Sequence, residues 1–221
     1  MSVSLVIPAY NEAKYIVQTL AYIKKLGEKD TELIVVDDGS TDETASLARK
    51  MADQLICLRE NHGKGFALQA GWQSAKGEYI VCLDADLEKS ALEYVELLKP
   101  VKAQQTDICL SIIQPGKKAG NGFVKKRVQK LIYQQTGMWL EAPLSGQRAF
   151  HRKWLPILLK QHYEGFAVEA QMTIDLLKAG ASIFELQTTM THREMGKSLK
   201  GYTHRLKQWW QIEKQLRSVR V

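Results

Sequence analysis

Short apolar runs rich in β-formers alternate with helical patterns through the first half of the chain. This alternation limits the fold more than any other feature. "SLVIP" (4–8) and "ELIVVDD" (32–38) read as strands, with the amphipathic "EAKYIVQTLAYIKKL" (12–26) between them. "STDETASLARKMA" (40–52) opens with Ser/Thr caps and early acids, which predicts a helix start. "DQLICLR" (53–59) and "EYIVCL" (78–83) are further strands on either side of the helical "KGFALQAGWQSA" (64–75). The helical "SALEYVELLKPV" (90–101) and the strand "DICLSII" (107–113) follow. Such a pattern predicts an α/β fold, a mostly parallel sheet with helices on both faces. Ligands of such sheets sit at the C-terminal strand ends. There the polar stretches "PAYNE", "DDGSTD", "NHGKG" and "DADLE" are expected to gather.

After Gly116 the alternation loosens. "FVKKRVQKLIYQQT" (123–136) reads as a helix with a basic face, and "APLSGQRAFHRKWL" (142–155) as a turn leading into a short helix. "AVEAQMTIDLLKAG" (167–180) is helical with a glycine stop, and "SIFELQTT" (182–189) is a strand. No repeat, low-complexity segment or linker divides the 221 residues, which suit one domain. No apolar run approaches the roughly 20 residues of a membrane-spanning helix, and "MSVSLVIPAYNE" has no signal-peptide pattern. Cys57, Cys82 and Cys109, each within an apolar segment, read as buried free thiols in a reducing cytosol, so the expected location is cytoplasmic.

"YIVCLDADLE" (79–88) sets two carboxylates one residue apart after an apolar run. In an extended segment Asp84 and Asp86 point the same way, and D-x-D suits a hard divalent cation that completes its shell with substrate phosphates. Helix capping is the bland alternative. The net charge of +7 lies largely after residue 115, in "GKKAGNGFVKKRVQK" and "THREMGKSLKGYTHRLKQ", while the acidic motifs lie in the first half. That asymmetry suggests a metal-and-nucleotide half joined to an anion-holding half.

Context favours the metal. "IPAYNE", "VVDDGSTDET", "NHGKGFALQAGWQSAKGEYIVCLDADLE" and "TGMWLEAPLSGQRAF" occur in an order and spacing that resembles the nucleotide-sugar glycosyltransferases of the GT-A fold. Within these the chain is similar to family 2, which includes polyprenyl-phosphate mannosyl- and glucosyltransferases. "PLSGQRAF" and "GFAVEAQMTIDLLKAG" followed by "THR" also resemble the glucosyl-3-phosphoglycerate synthases. The resemblance implies a single GT-A domain over 1–201, followed by a basic amphipathic helix over 202–221.

It implies Mg2+ or Mn2+ as cofactor and a UDP- or GDP-sugar as donor. The implied acceptor is a lipid phosphate or another phosphorylated or hydroxyl compound. Pro8, Tyr10, Glu12, Asp37 and Asp38 match positions that hold base and ribose, and Lys64 lies in the "GKG" turn over the nucleotide. Glu12 also reads simply as an acid at a helix start. Asp86 is the direct metal ligand, and Asp84, beside the donor ribose, shares the ion or reaches it through water. Glu88 is either a third ligand or a first-turn acid. His192 matches a metal-ligand histidine of the phosphoglycerate enzymes, and Arg193 and Lys197 a basic pair for the diphosphate or acceptor phosphate. Arg148 would hold an anion. Glu169 is the candidate general base for a hydroxyl acceptor, or else a polar first-turn residue. Ala142 and Gln147 depart from the Asp and Phe common in the family.

Rival readings are weaker. A haloacid-dehalogenase-type phosphotransferase also uses D-x-D, but near the chain start and followed by Thr or Val where Glu88 stands. No G-x-G-x-x-G follows the first strand, and no nucleic-acid module accompanies the positive charge, so no nucleic-acid partner is expected. The tail from Tyr202, with Trp209 and Trp210, either lies on an anionic membrane or packs on the domain or on a second subunit of a homodimer.

Overall fold

The computed structural model describes residues 2–113, 123–163 and 168–191. Parallel strands β1 (Val3–Ala9), β2 (Thr31–Asp37), β3 (Gln54–Cys57) and β4 (Tyr79–Cys82) alternate with α1 (Ile16–Leu26), α2 (Thr44–Ala48) and α3 (Lys64–Ser74). A 3-10 turn over Glu88–Glu93 runs into α4 (Tyr94–Lys102), followed by β5 (Ile108–Ile113) and α5 (Phe123–Thr136). The remaining elements are β6 (Arg148–His151), α6 (Leu155–Leu158), α7 (Val168–Lys178) and β7 (Ile183–Thr188). One seven-stranded sheet has the order β3-β2-β1-β4-β6-β5-β7.

β6 corrects the sequence reading. "RAFH" was expected within a turn, yet it forms a strand antiparallel to both β4 and β5, filling the gap between them. Four residues flanked by charge give too short a pattern to read as a strand, and burial on both faces is what fixes it. Ala149 packs on one side of the sheet and Phe150 on the other.

The two faces follow from the period-2 geometry of the strands. On one side Val6, Ile34, Ile80 and Phe150 pack against α3, α5 and α7. On the other, Leu5, Ile7, Val35 and Val81 pack against α1 and α4. Trp72 of α3 lies edge-on to Phe150 and Tyr163, and donates its indole N–H to the Cys82 sulfur. Cys82 and Cys109 are buried free thiols, but Cys57 is exposed, because it ends the edge strand β3. Among the described residues no helix is long and apolar enough to cross a membrane.

Candidate active site

The C-terminal ends of β1 to β4 bring their loops to one edge, and side chains stitch them together. The Asn11 amide donates to Ser40 Oγ, and the Thr41 amide donates to Asn11 Oδ1, both at 2.9 Å. The Glu12 amide donates to Thr44 Oγ1 at 2.8 Å, fixing the entry to α1 against the start of α2. Pro8 lies half-buried next to the last residue of β1, and Tyr10 stands exposed just beyond the strand.

Asp37 and Asp38 are both buried at the end of β2. The Asp38 carboxylate accepts from the His62 amide (2.9 Å), the Gly63 amide (2.8 Å) and Asn61 Nδ2 (2.9 Å). Burial raises its pKa, and the two amides offset that only in part. Asp38 therefore organises the turn that carries Lys64. Asp37 Oδ2 accepts from the Ser40 amide at 3.2 Å, while its buried Oδ1 has no hydrogen-bond partner among the described residues.

After β4 the D-x-D segment alternates as its sequence predicts. Leu83, Ala85 and Leu87 are buried, while Asp84, Asp86 and Glu88 are half-buried. Thr19 of α1 holds the turn from below. Its hydroxyl donates to the Ala85 carbonyl and accepts from the Glu88 amide, each at 2.8 Å, where Glu88 adopts a left-handed φ of 48°. Asp86 and Glu88 line an open cavity of about 570 Å³, together with Tyr15, Ser90, Glu93 and Thr191.

Lys64 binds the two halves of the molecule. Its ammonium lies 2.7 Å from Asp84 Oδ1 and 2.7 Å from Glu169 Oε1 on α7. Burial would lower its pKa, yet the two carboxylates raise it well above the ordinary lysine value. Asp84 Oδ2 accepts from Gln147 Nε2 at 2.5 Å. The backbone at Gly146 passes so close that a Cβ there would meet Lys64 Nζ at 2.6 Å and the Asp84 oxygens at 3.0 Å. A side chain there would push the Lys64 ammonium away from Asp84. Gly65 is more tightly constrained, since a Cβ would meet the Tyr163 backbone carbonyl oxygen at 2.4 Å.

Arg148 departs from the anion-holding role expected of it. It is only 2% exposed and donates to the Ser145 carbonyl, and at 3.3 Å to the Glu169 carbonyl and to Thr173 Oγ1. It braces the loop before β6 against α7, and burial lowers its pKa despite the pull of Glu169.

Sequence reading passed over Thr19, Asn61 and Gly146, and saw Gln147 only as a departure from a pattern. Their side chains or backbone meet the site through the topology, which no local spacing signals. His192, Arg193 and Lys197 lie outside the described residues. Among the described residues no three His, Cys, Asp or Glu side chains form a metal-binding set. Asp84 is turned toward Lys64 and Gln147. Asp86, Glu88 and Glu93 are the carboxylates that line the cavity.

The sequence model of glycosyl transferase family 2 matches residues 4–170. An undecaprenyl-phosphate 4-deoxy-4-formamido-L-arabinose transferase of Pectobacterium atrosepticum is 31% identical over 73% of this chain and 52% of its own length. A dolichyl-phosphate beta-glucosyltransferase of Trichomonas vaginalis is 30% identical over 83% of this chain and 64% of its own length. The chain thus spans about half to two-thirds of these relatives. Glucosyl-3-phosphoglycerate synthase of Mycobacterium tuberculosis, solved with Mn2+, UDP-glucose and phosphoglyceric acid, superposes with a TM-score of 0.77. It is 26% identical, with 98% of this chain and 79% of that one covered. The chain belongs to glycosyl transferase family 2.

Proposed function

We propose that the protein transfers a sugar from a UDP- or GDP-sugar to a phosphorylated acceptor, using the edge of the sheet where β1, β2 and β4 end. The observation that carries this is the meeting of Asp84, Lys64, Gln147 and Glu169, which joins the donor-side loops to the second half of the chain. Pro8, Tyr10, Glu12 and Asp37 bound the place for base and ribose. The buried Asp37 Oδ1 supports this, being an acceptor suited to an N–H or hydroxyl. Asp38 acts by holding the Asn61–Gly63 turn over that place.

Asp86 and Glu88 would hold Mg2+ or Mn2+, with His192 from the segment that begins next to Thr191 on the cavity wall. When bound, such an ion offsets charge on the departing diphosphate. Lys64 carries a fixed positive charge beside Asp84 and stands ready to stabilise the same anion, with Arg193 and Lys197. Gln147 and Lys64 fix the Asp84 carboxylate so that its orientation toward a sugar hydroxyl is set before the donor arrives.

A phosphate acceptor is already anionic and needs no base, so Glu169 then positions it through Lys64. A hydroxyl acceptor would pass its proton to Glu169 Oε. Similarity to the polyprenyl-phosphate enzymes favours a lipid-linked phosphate reached from the inner face of a membrane. The superposition on a phosphoglycerate enzyme supports a soluble phosphorylated acceptor as the second reading. A unit over 1–201 followed by the basic tail 202–221, and a homodimer formed through that tail, belong to the same proposal.

A nucleotide-sugar panel, scored for nucleoside diphosphate release with polyprenyl phosphate or 3-phosphoglycerate, separates the readings. Stimulation by polyprenyl phosphate supports the first and stimulation by 3-phosphoglycerate the second. No release from any donor would sink both.

A further inference from the structure

Helix α5 contains Lys125, Lys126, Arg127 and Lys130 and no acidic residue in 14 positions. Its buried side, Val128, Leu131 and Ile132, packs on the sheet. The opposite side is aromatic as well as basic. Phe123, Lys126, Lys130 and Tyr133 follow one another at helical spacing along a single stripe, about 15 Å long at 1.5 Å per residue. Phe123 is 67% exposed and Tyr133 53%. Gly137, at φ 73°, donates its amide to the Tyr133 carbonyl at 2.8 Å and closes the helix. The chain then turns back so that Trp139, 60% exposed, sets its ring 6.1 Å from that of Tyr133. Three exposed aromatic rings around two lysines have no role in the cluster at the sheet edge.

We propose that this stripe docks the protein on an anionic membrane surface, the lysines meeting lipid phosphates and the rings entering the headgroup layer. Rings of this kind favour the boundary between water and acyl chains, and basic residues on the same helix face supply the attraction to anionic lipid. Charge complementarity argues against the other occupants at hand. A two-fold contact between copies would set the same lysines against each other. The tail 202–221, with five Lys and Arg against one Glu, carries the same sign as α5 and is repelled by it. The segment from Trp139 to Gln147 links this stripe to the Asp84 cluster along the chain. The proposal rests on the lipid-acceptor reading for its purpose but not for its test.

The test is sedimentation of the full chain with phosphatidylcholine vesicles, with and without phosphatidylglycerol, in the absence of donor and acceptor. The wild type is expected to partition onto the anionic vesicles at low salt and to leave them at high salt. Each basic residue near such a surface contributes about fivefold, so Lys126→Glu with Lys130→Glu should weaken partition by at least about tenfold. Tyr133→Ser with Trp139→Ser should weaken it severalfold. Unchanged melting and unchanged nucleotide affinity would show that these variants fold. Should the charge reversals lower the melting temperature, Lys126→Gln with Lys130→Gln takes their place. No partition by the wild type, or partition that depends on Trp209 and Trp210 and not on α5, would overturn the proposal. So would binding of RNA or self-association lost in these variants without vesicle binding. Sugar transfer to a soluble acceptor is read separately and does not depend on either result.

Discussion

Lys64 places one ammonium between two carboxylates that come from opposite halves of the chain, Asp84 after β4 and Glu169 on α7. Removing it leaves two acids facing each other across a partly buried space. Lys64→Met should therefore destabilise the fold by about 2 kcal/mol, the cost of an unpaired buried charge discounted for partial exposure. Lys64→Met combined with Glu169→Gln should recover part of that loss, and denaturant unfolding of the four proteins in the cycle measures it. Strict additivity would mean that the pair is not coupled. Asp38 makes a second case. Asp38→Ala removes three hydrogen bonds to the Asn61–Gly63 turn, and each charge-assisted bond contributes about 1.5–3 kcal/mol. Lower melting together with weaker UDP or GDP binding is expected. An unchanged melting temperature would contradict the bracing role given to Asp38.

At the scale of elements, burial still alternates through residues 83–88 although β4 ends at Cys82, but the two acids expected to point the same way part in the turn, Asp84 toward Lys64 and Gln147 and Asp86 toward the cavity. β6 was not legible in the sequence. Its four residues are defined by neighbours on both sides, β4 and β5, and a sequence pattern carries no trace of which strands will flank it. The same limit hid the contact between Gln147 and Asp84, residues 63 positions apart in the chain. The resemblance implies an anion for Arg148, but burial fastens it to two carbonyls and the Thr173 hydroxyl.

The start of β5 offers a test in acid. Asp107 accepts from the Ser182 amide and hydroxyl and pairs with Lys153 at 2.6 Å, clamping β5 to β7 and to the turn after β6. Burial pushes its carboxyl up, but Lys153 and Ser182 pull it further down, to about 2. A depressed acid stabilises the fold above its unfolded value of 3.8, and that contribution fades as pH falls toward about 2. With Lys153 exposed, the contribution is on the order of 1 kcal/mol. Asp107→Asn should lower stability at neutral pH and flatten its fall between these values. An identical acid profile for wild type and Asp107→Asn would remove the clamp from consideration.

For the whole molecule, the sheet order explains why one edge can do the chemistry. Four parallel strands deliver four polar loops together, and β6, antiparallel to β4, starts at the same edge, so Gly146 and Gln147 just before it stand in place there. The most direct measurement is sugar transfer by wild type and Asp86→Ala, each with Mn2+ and with excess chelator, alongside a melting curve. Transfer by the wild type should vanish with chelator, and Asp86→Ala should lose at least about a thousandfold, some 4 kcal/mol of transition-state stabilisation, without a change in melting. Full transfer by Asp86→Ala, or by the wild type in chelator, would contradict a metal-assisted glycosyl transfer centred on this residue.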